Sequence, residues 1–365
     1  MKKILQYFPS FDYGGIETFI LNINKGLCKE CQFTYLVEKD INEENKKKID
    51  EYGGKIIRIP NMTKQNPIKH ILAIKKVFKE NNYDVVHIHN CDLRFWVAFF
   101  AKMYKVPIRI YHIHSAKIER HSNIKKIFFN INIKLSTAVL ACSKHAANEM
   151  LKDKAEKAIV VNNPIDVKSF IYNEEYRKNI RSELNIDDDT IAIGNVARLE
   201  EVKNQYFLID VLENMLQKNI KAKLILVGEG SLKEKLKDIA KEKGIEDNFI
   251  CMGKRSDTNK IYSAFDVFCL PSEAEGLGIV LIEAQANGLN CIASKNITEE
   301  TNITGKINYI DIKKQNIVEW TEKIEEKSKT RYEAIKKIYE KGYDISDVEK
   351  VMLKIYNGGE KLEIN

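Results

Sequence analysis

Seven short β-branched or aromatic runs recur through the first half of the chain: "KKILQYF", "FTYLVE", "KIIRIP", "YDVVHIH", "IRIYHIH", "TAVLACS" and "AIVVNNP". Helix-length segments, such as residues 17–29 and 67–81, separate them. Strands that alternate with helices build βαβ units and a parallel sheet. Between residues 166 and 190 the pattern lapses into polar, charged sequence, and then it restarts with "TIAIGNVA", "AKLILVG", "NFICMG", "VFCLPS" and "NCIAS". Helical stretches are expected at 204–217, 231–243 and 278–286, and from Asp311 onward the sequence reads as polar and helical. The fold class expected is α/β, with two doubly wound, Rossmann-like domains facing across a cleft. Their expected bounds are residues 1–165 and 166–342. A C-terminal amphipathic helix within 343–365, patterned by Val348, Met352 and Ile355, is expected to pack back onto the first domain.

With 365 residues, 44% of them hydrophobic, the chain has material for two cores. Its longest apolar run, Phe95 to Ala101, is far short of the roughly 20 residues a membrane-spanning helix needs. Gln6 and Pro9 interrupt the only stretch resembling a signal peptide, so a cytoplasmic location is expected. Seven scattered cysteines fit a reducing compartment, and the lone "CKEC" has no second pair at zinc-site spacing. Net charge is +7, unevenly divided. Residues 1–165 hold 28 Lys/Arg against 16 Asp/Glu, and residues 166–365 hold 31 against 36. A basic first half suits an anionic partner: a phosphate-bearing substrate, a membrane surface or nucleic acid.

Open α/β sheets bind ligands beyond the carboxyl ends of their strands, so residues just past the strands are the site candidates. Gly14 and Gly15 follow the first strand and precede a helix, where backbone N–H groups can approach an anion. Two strands end in "HIH", and alternation puts His87 with His89, and His112 with His114, on one face of each strand. The outer pair, His89 and His114, are the better cleft candidates, with His114 expected to point into solvent or ligand. In "NVARLEEVKNQ", Arg198 lies past a strand and Lys203 at the start of the next helix, a fork and a point charge suited to a diphosphate. "LVGEGSLKEKL" carries Gly228 and Gly230 but lacks the third glycine of a dinucleotide fingerprint. In "PSEAEGLGIVLIEAQANG", Glu275 precedes Gly276, Leu277 and Gly278, and a helix then carries Glu283. Eight residues of ideal helix would span roughly 12 Å, comparable to the separation of the two sugars of a nucleotide diphosphate-sugar.

"GGIET", "ARLEEVKN", "LVGEGSL", "MGKRSD" and "PSEAEGLGIVLIEAQANG", in this order and spacing, resemble the family 4 retaining glycosyltransferases of GT-B fold over nearly the whole chain. "ACSKHAA", "VVNNPID" and "EAQANGLNCIAS" look most like the branch of bacterial capsule and exopolysaccharide assembly. The resemblance implies transfer, with retention, from a nucleotide diphosphate-sugar, most simply a UDP-sugar, to a saccharide or lipid-linked acceptor, with no cofactor and no metal. It implies catalytic roles for Arg198, Lys203, Glu275 and His114. It implies donor contacts from Gly15, Gly228, Arg255, Gly276, Leu277, Gly278 and Glu283, with Gly14 and His89 on the acceptor side. Glu283 would hold the ribose hydroxyls, Glu275 the transferred sugar, Arg198 and Lys203 the diphosphate, and Arg255 would lie near the base. Ala197 and Pro164 stand where the family commonly has glycine.

The segment 117–136, from Lys117 to Ser136, mixes cationic and apolar residues as an interfacial helix would, so a peripheral position on an anionic membrane surface is expected, and no nucleic-acid partner. Two other classes compete. A glycoside hydrolase could use Glu275 and Glu283 if they flank one bond about 5 to 10 Å apart. A non-enzymatic basic nucleic-acid or surface-binding protein would explain the charge of the first half but not the conjunction of Arg198, Lys203 and the glutamates.

Overall fold

The computed structural model describes residues 1–11, 15–63, 65–89, 95–114, 123–328, 330–333 and 335–359. The chain divides into two compact units, Met1–Pro164 with Asp344–Asn365, and Ile165–Tyr343.

The first unit holds β1 (Lys2–Tyr7), α1 (Gly15–Leu27), β2 (Cys31–Val37), α2 (Glu43–Glu51), β3 (Lys55–Arg58), α3 (Pro67–Glu80), β4 (Val85–His89), α4 (Trp96–Met103), β5 (Ile108–Ile113), α5 (Asn123–Leu135), β6 (Ala138–Ala141), α6 (Lys144–Leu151) and β7 (Ala158–Val160). Its sheet is parallel, ordered β3-β2-β1-β4-β5-β6-β7. The reversal of order lies between β1 and β4, and right-handed crossovers put α3, α4 and α5 together on one face of the sheet and α1 on the other.

The second unit begins at Ile165, so the segment read from sequence as a break belongs to it. That segment contains α7 (Glu174–Glu183). Asn173 caps the helix, accepting from the Tyr176 amide, and the helix aims two arginines at one carboxylate. Arg177 Nη2 and Arg181 Nη1 lie 2.7 and 3.0 Å from the two oxygens of Asp266, and the Ala192 amide donates to Asp266 Oδ2 at 2.8 Å. A charged helix read by its exposed residues looks like linker; its few inward groups dock it. The unit continues through β8 (Ile191–Val196), α8 (Gln205–Gln217), β9 (Ala222–Val227), α9 (Lys233–Glu242), β10 (Phe249–Gly253), α10 (Thr258–Ile261), β11 (Val267–Leu270), α11 (Ile279–Ala286), β12 (Asn290–Ser294), β13 (Ile307–Ile310), α12 (Ile317–Lys327) and α13 (Ile335–Glu340). The sheet order is β10-β9-β8-β11-β12-β13, all parallel. β13 has no counterpart in the sequence reading, where "KINYI" is too short and too polar to stand out.

The last helix, α14 (Ile345–Tyr356), belongs to the first unit, where it packs on α1 and buries Val348, Met352, Ile355 and Tyr356 in the core of that sheet.

Candidate active site

In the second sheet the order reverses between β8 and β11, which places a crevice at their carboxyl ends. The two strands share only two ladder pairs, Ile193 with Val267 and Gly194 with Phe268. Gly194 is required there, since a Cβ would lie 2.1 Å from the Phe265 ring. One residue further on, the buried Asn195 side chain takes over from the ladder, its Nδ2 donating to the Cys269 carbonyl at 2.8 Å. The loops that leave β8 and β11 therefore start side by side, and those loops carry the charged residues.

After β8, residues 197–204 are pinned by their neighbours. The Leu199 amide donates to Glu229 O at 3.0 Å, and the Leu232 amide donates back to Leu199 O at the same distance. Gln205 Nε2 donates to Arg198 O at 2.9 Å, and the Glu273 amide donates to Val202 O at 2.8 Å, joining this loop to the one after β11. Lys203 sits in a one-turn 3-10 segment, Glu201–Lys203, rather than on α8, which begins beyond left-handed Asn204 (φ 53°). Arg198 is exposed, and its guanidinium makes no hydrogen bond among the described residues.

Lys203 Nζ lies 2.6 Å from Glu275 Oε1, with the two side chains 17% and 11% exposed. Ser272 Oγ donates to the same oxygen at 2.7 Å, leaving Oε2 without a partner among the described residues. A sheltered ion pair thus holds the ammonium at the strand ends. Gly278, the residue before α11, has φ 78°, a conformation that favours glycine, and a Cβ on it would sit 3.7 Å from Glu275 Cγ. Glu275 consequently stands at the amino end of α11, where no side chain caps the first amides and the helix field favours an anion. Leu277 is buried, so only its backbone faces that end.

One reckoning is corrected, and three of the expected site residues have partners or close neighbours that the sequence did not announce. The 12 Å reckoning assumed helix from Glu275 to Glu283, but α11 starts at Ile279 and Glu275 lies in the preceding loop. Gly228 (φ 147°) serves the protein's own backbone: a Cβ would meet Ala197 O at 2.0 Å, because the loops after β8 and β9 approach that closely. Arg255 is fully engaged, with Nε and Nη2 on Asp257 at 2.8 and 2.9 Å and Nη1 on Glu183 at 2.7 Å, so its charge is compensated within the protein. Glu283 is only half-buried by surface, yet its environment is dry. Tyr262, fully buried among Phe170, Phe265 and Phe268, donates its hydroxyl to Glu283 Oε2 at 2.7 Å, and desolvation pushes the carboxyl up to about 7.

In the first unit His87, His89, His112 and His114 form one cluster at the ends of β4 and β5, where His89 is in register with His112. His87 Nδ1 meets the Tyr356 hydroxyl at 2.9 Å and its Nε2 meets His112 Nδ1 at 3.2 Å. His89 Nε2 donates to Gln6 Oε1 at 2.8 Å, so its Nδ1 accepts from His114 Nε2–H at 2.9 Å. Burial holds all four rings neutral, with the pKa of His114 pushed down to about 3. Two further corrections follow. His89 presents no surface, and His114 is half-buried with one nitrogen committed to His89 rather than pointing into solvent. Among the described residues, His87, His89 and His112 are the group able to hold a metal, with one ring nitrogen from each within 4.8 Å of the others; five of their six nitrogens already serve one another, Tyr356, Gln6 or His114, and His112 Nε2 is buried without a partner. Gly15 opens α1, is exposed, and has nothing within 4 Å of a Cβ, so packing alone does not demand glycine there. Gly14 and the start of the 117–136 segment lie outside the described residues.

Two family models match in succession. "Glycosyltransferase Family 4" covers residues 13–169, and "Glycosyl transferases group 1" covers 176–344. An O-antigen biosynthesis glycosyltransferase of Escherichia coli, WclY, is 30% identical over 67% of this chain and 70% of its own length. The chain belongs to glycosyltransferase family 4. A Bacillus subtilis protein named as glycosyltransferase EpsF is 28% identical to this transferase over 98% of the chain and 96% of its own length. The fold is GT-B. The solved structure of Anabaena HepE in complex with UDP-glucose superposes on the transferase with TM-score 0.80 at 20% identity, covering 98% of this chain and 100% of that one. Membership of this family leaves the hydrolase reading without support.

Sequence reasoning missed Tyr262, Ser272, Gln6 and Tyr356, the partners of the site glutamates and of the histidines. Only Ser272 carried a signal, the S-x-x-E spacing that elsewhere marks reciprocal capping. The raised Glu283 pKa has a measurable consequence for the transferase. An unfolded glutamate ionises near pH 4.3, so the folded state is undisturbed below that pH and is progressively penalised as pH rises to about 7, by up to about 3 kcal/mol. The stability difference between Glu283→Gln and wild type is expected to move in favour of the variant between pH 5 and 8, measured as urea midpoints. A difference flat with pH would show that the carboxyl ionises normally.

Proposed function

We propose that this glycosyltransferase is a retaining, metal-independent enzyme that takes a UDP-sugar as donor and builds cell-surface polysaccharide on a saccharide or lipid-linked saccharide, in the cytoplasm and at the inner face of the membrane. The observation that carries the donor half is the Lys203–Glu275 pair, seated at the reversal of the second sheet beside the open amino end of α11. A diphosphate entering there meets the Lys203 ammonium, the unengaged Arg198 guanidinium and the backbone around Gly276 and Gly278. As the C1–O bond to the β-phosphate breaks, the electron pair leaves with the phosphate, and these cations stabilise the charge a metal would otherwise take. The acceptor hydroxyl forms its bond to C1 on the face the diphosphate leaves, and its proton departs with the nucleotide. Glu275, held by Lys203 and Ser272 through one oxygen, offers the other to sugar hydroxyls. Glu283, kept dry by Tyr262, accepts from ribose hydroxyls. The HepE complex with UDP-glucose and the O-antigen role named for WclY support the donor and the pathway class. Of the first unit, Gly15 and His114 lie at its own strand ends, where ligands of α/β sheets bind, and His114 acts there as a neutral ring.

Thermal shift with UDP-, GDP- and ADP-sugars tests this. UDP-sugars should raise the melting temperature and release UDP when acceptor is added, and Glu283→Ala should abolish the shift. Equal response to all three nucleotides, or none, would overturn the donor assignment.

A further inference from the structure

The outer surface of the first unit carries an apolar pattern that the transfer chemistry does not use. Of the twelve large hydrophobic side chains that are well exposed among the described residues, six lie on α3, α4 and α5. They come in pairs one helical turn apart: Ile68 and Leu72, Phe99 and Met103, Ile124 and Ile127, between 39% and 71% exposed. The three helices share one face of the sheet, with α3 against α4 and α4 against α5. The six others each lie on a different element or loop, spread over both units, and make no such series. Half-buried aromatics close the seam between α4 and α5, Phe95 standing 4.5 Å from Trp96 and 5.1 Å from Phe128 by ring centroids.

The charges on these helices are nearly all of one sign. α3, α4 and α5 carry four, one and three lysines against a single glutamate, Glu80. A second copy of this face would meet its own lysines, which disfavours self-association, and isolated Ile and Leu tips have nothing to contribute on a phosphodiester backbone. Apolar side chains ringed by lysines match a layer that is apolar just below an anionic surface, which the lysine stems can span with their ammonium groups outward. We propose that the outer face of α3, α4 and α5 docks the enzyme on a bilayer of anionic phospholipid. The proposal rests on the membrane half of the function given above, and it extends the contact from the one helix foreseen in the sequence to three.

Sedimentation with vesicles tests it directly. The wild-type protein should partition at least about tenfold more strongly onto phosphatidylcholine vesicles containing phosphatidylglycerol than onto phosphatidylcholine alone. Phe99→Ser combined with Ile127→Ser should lower that partition about tenfold or more at any salt concentration. Lys75→Glu combined with Lys76→Glu should do the same, and added salt should weaken wild-type binding. Both double variants should keep the wild-type thermal shift with UDP-sugar, which separates a failed surface from a failed fold or a failed donor site. Equal sedimentation with both vesicle types, or binding untouched by both double variants, would overturn the proposal even where the UDP shift persists. So would a solution dimer by light scattering that Phe99→Ser with Ile127→Ser dissolves.

Discussion

Replacing Lys203 by alanine is expected to lower transfer by about two to three orders of magnitude, the loss usually seen when a group aimed at developing negative charge is removed. The ammonium is held 2.6 Å from Glu275 at the strand ends, so its place beside that carboxylate is fixed by the fold. Stability should change much less. The pair is sheltered but not sealed, and Glu275 keeps its bond from Ser272, so a cost of about 1 to 2 kcal/mol is expected. Turnover of a UDP-sugar at saturating acceptor, measured beside a urea melt, checks both halves. Near-wild-type turnover would remove Lys203 from the chemistry.

Gly228→Ala should produce the largest loss of stability. Its φ of 147° is costly for any side chain, and a Cβ would stand 2.0 Å from the Ala197 carbonyl, which belongs to the loop that also carries Arg198. Backbone cannot retreat as a side-chain tip can, so the two penalties together should exceed about 3 kcal/mol. Gly244→Ala is the control, having φ 65° but nothing within 4 Å of the new Cβ, and should cost about 1 kcal/mol. Chemical denaturation midpoints of the two variants decide the matter. Equal losses would mean that the approach of the loops is not rigid.

The alternation of β-branched runs with helical segments made the two parallel sheets legible, because period and length carry that information locally. Twelve of the thirteen strands coincide with or overlap runs read from sequence; β13 does not, since its four residues are held by pairing with β12 rather than by their own pattern. The docking of α7 was invisible for a related reason. Its two arginines read as surface charge until Asp266, 89 and 85 residues on, receives them. Site residues placed by strand ends, such as Lys203 and Glu275, came together. The distant partners of other site residues were not legible: Arg255 is held by Glu183, and His89 by Gln6 and His114. Spacing announces which side chains share a loop, but not which of them will be taken by another carboxylate or ring.

The first sheet is completed by a helix made after the entire second unit. Tyr356 reaches Gln6 and His87 beneath the strand ends, and Val348, Met352 and Ile355 fill the core beside α1. During synthesis, therefore, the strands of the first unit wait with an open apolar flank while the compact unit Ile165–Tyr343 emerges. A ribosome stalled within that stretch would display an amino-terminal half whose sheet still lacks its last helix and whose open apolar flank needs a chaperone.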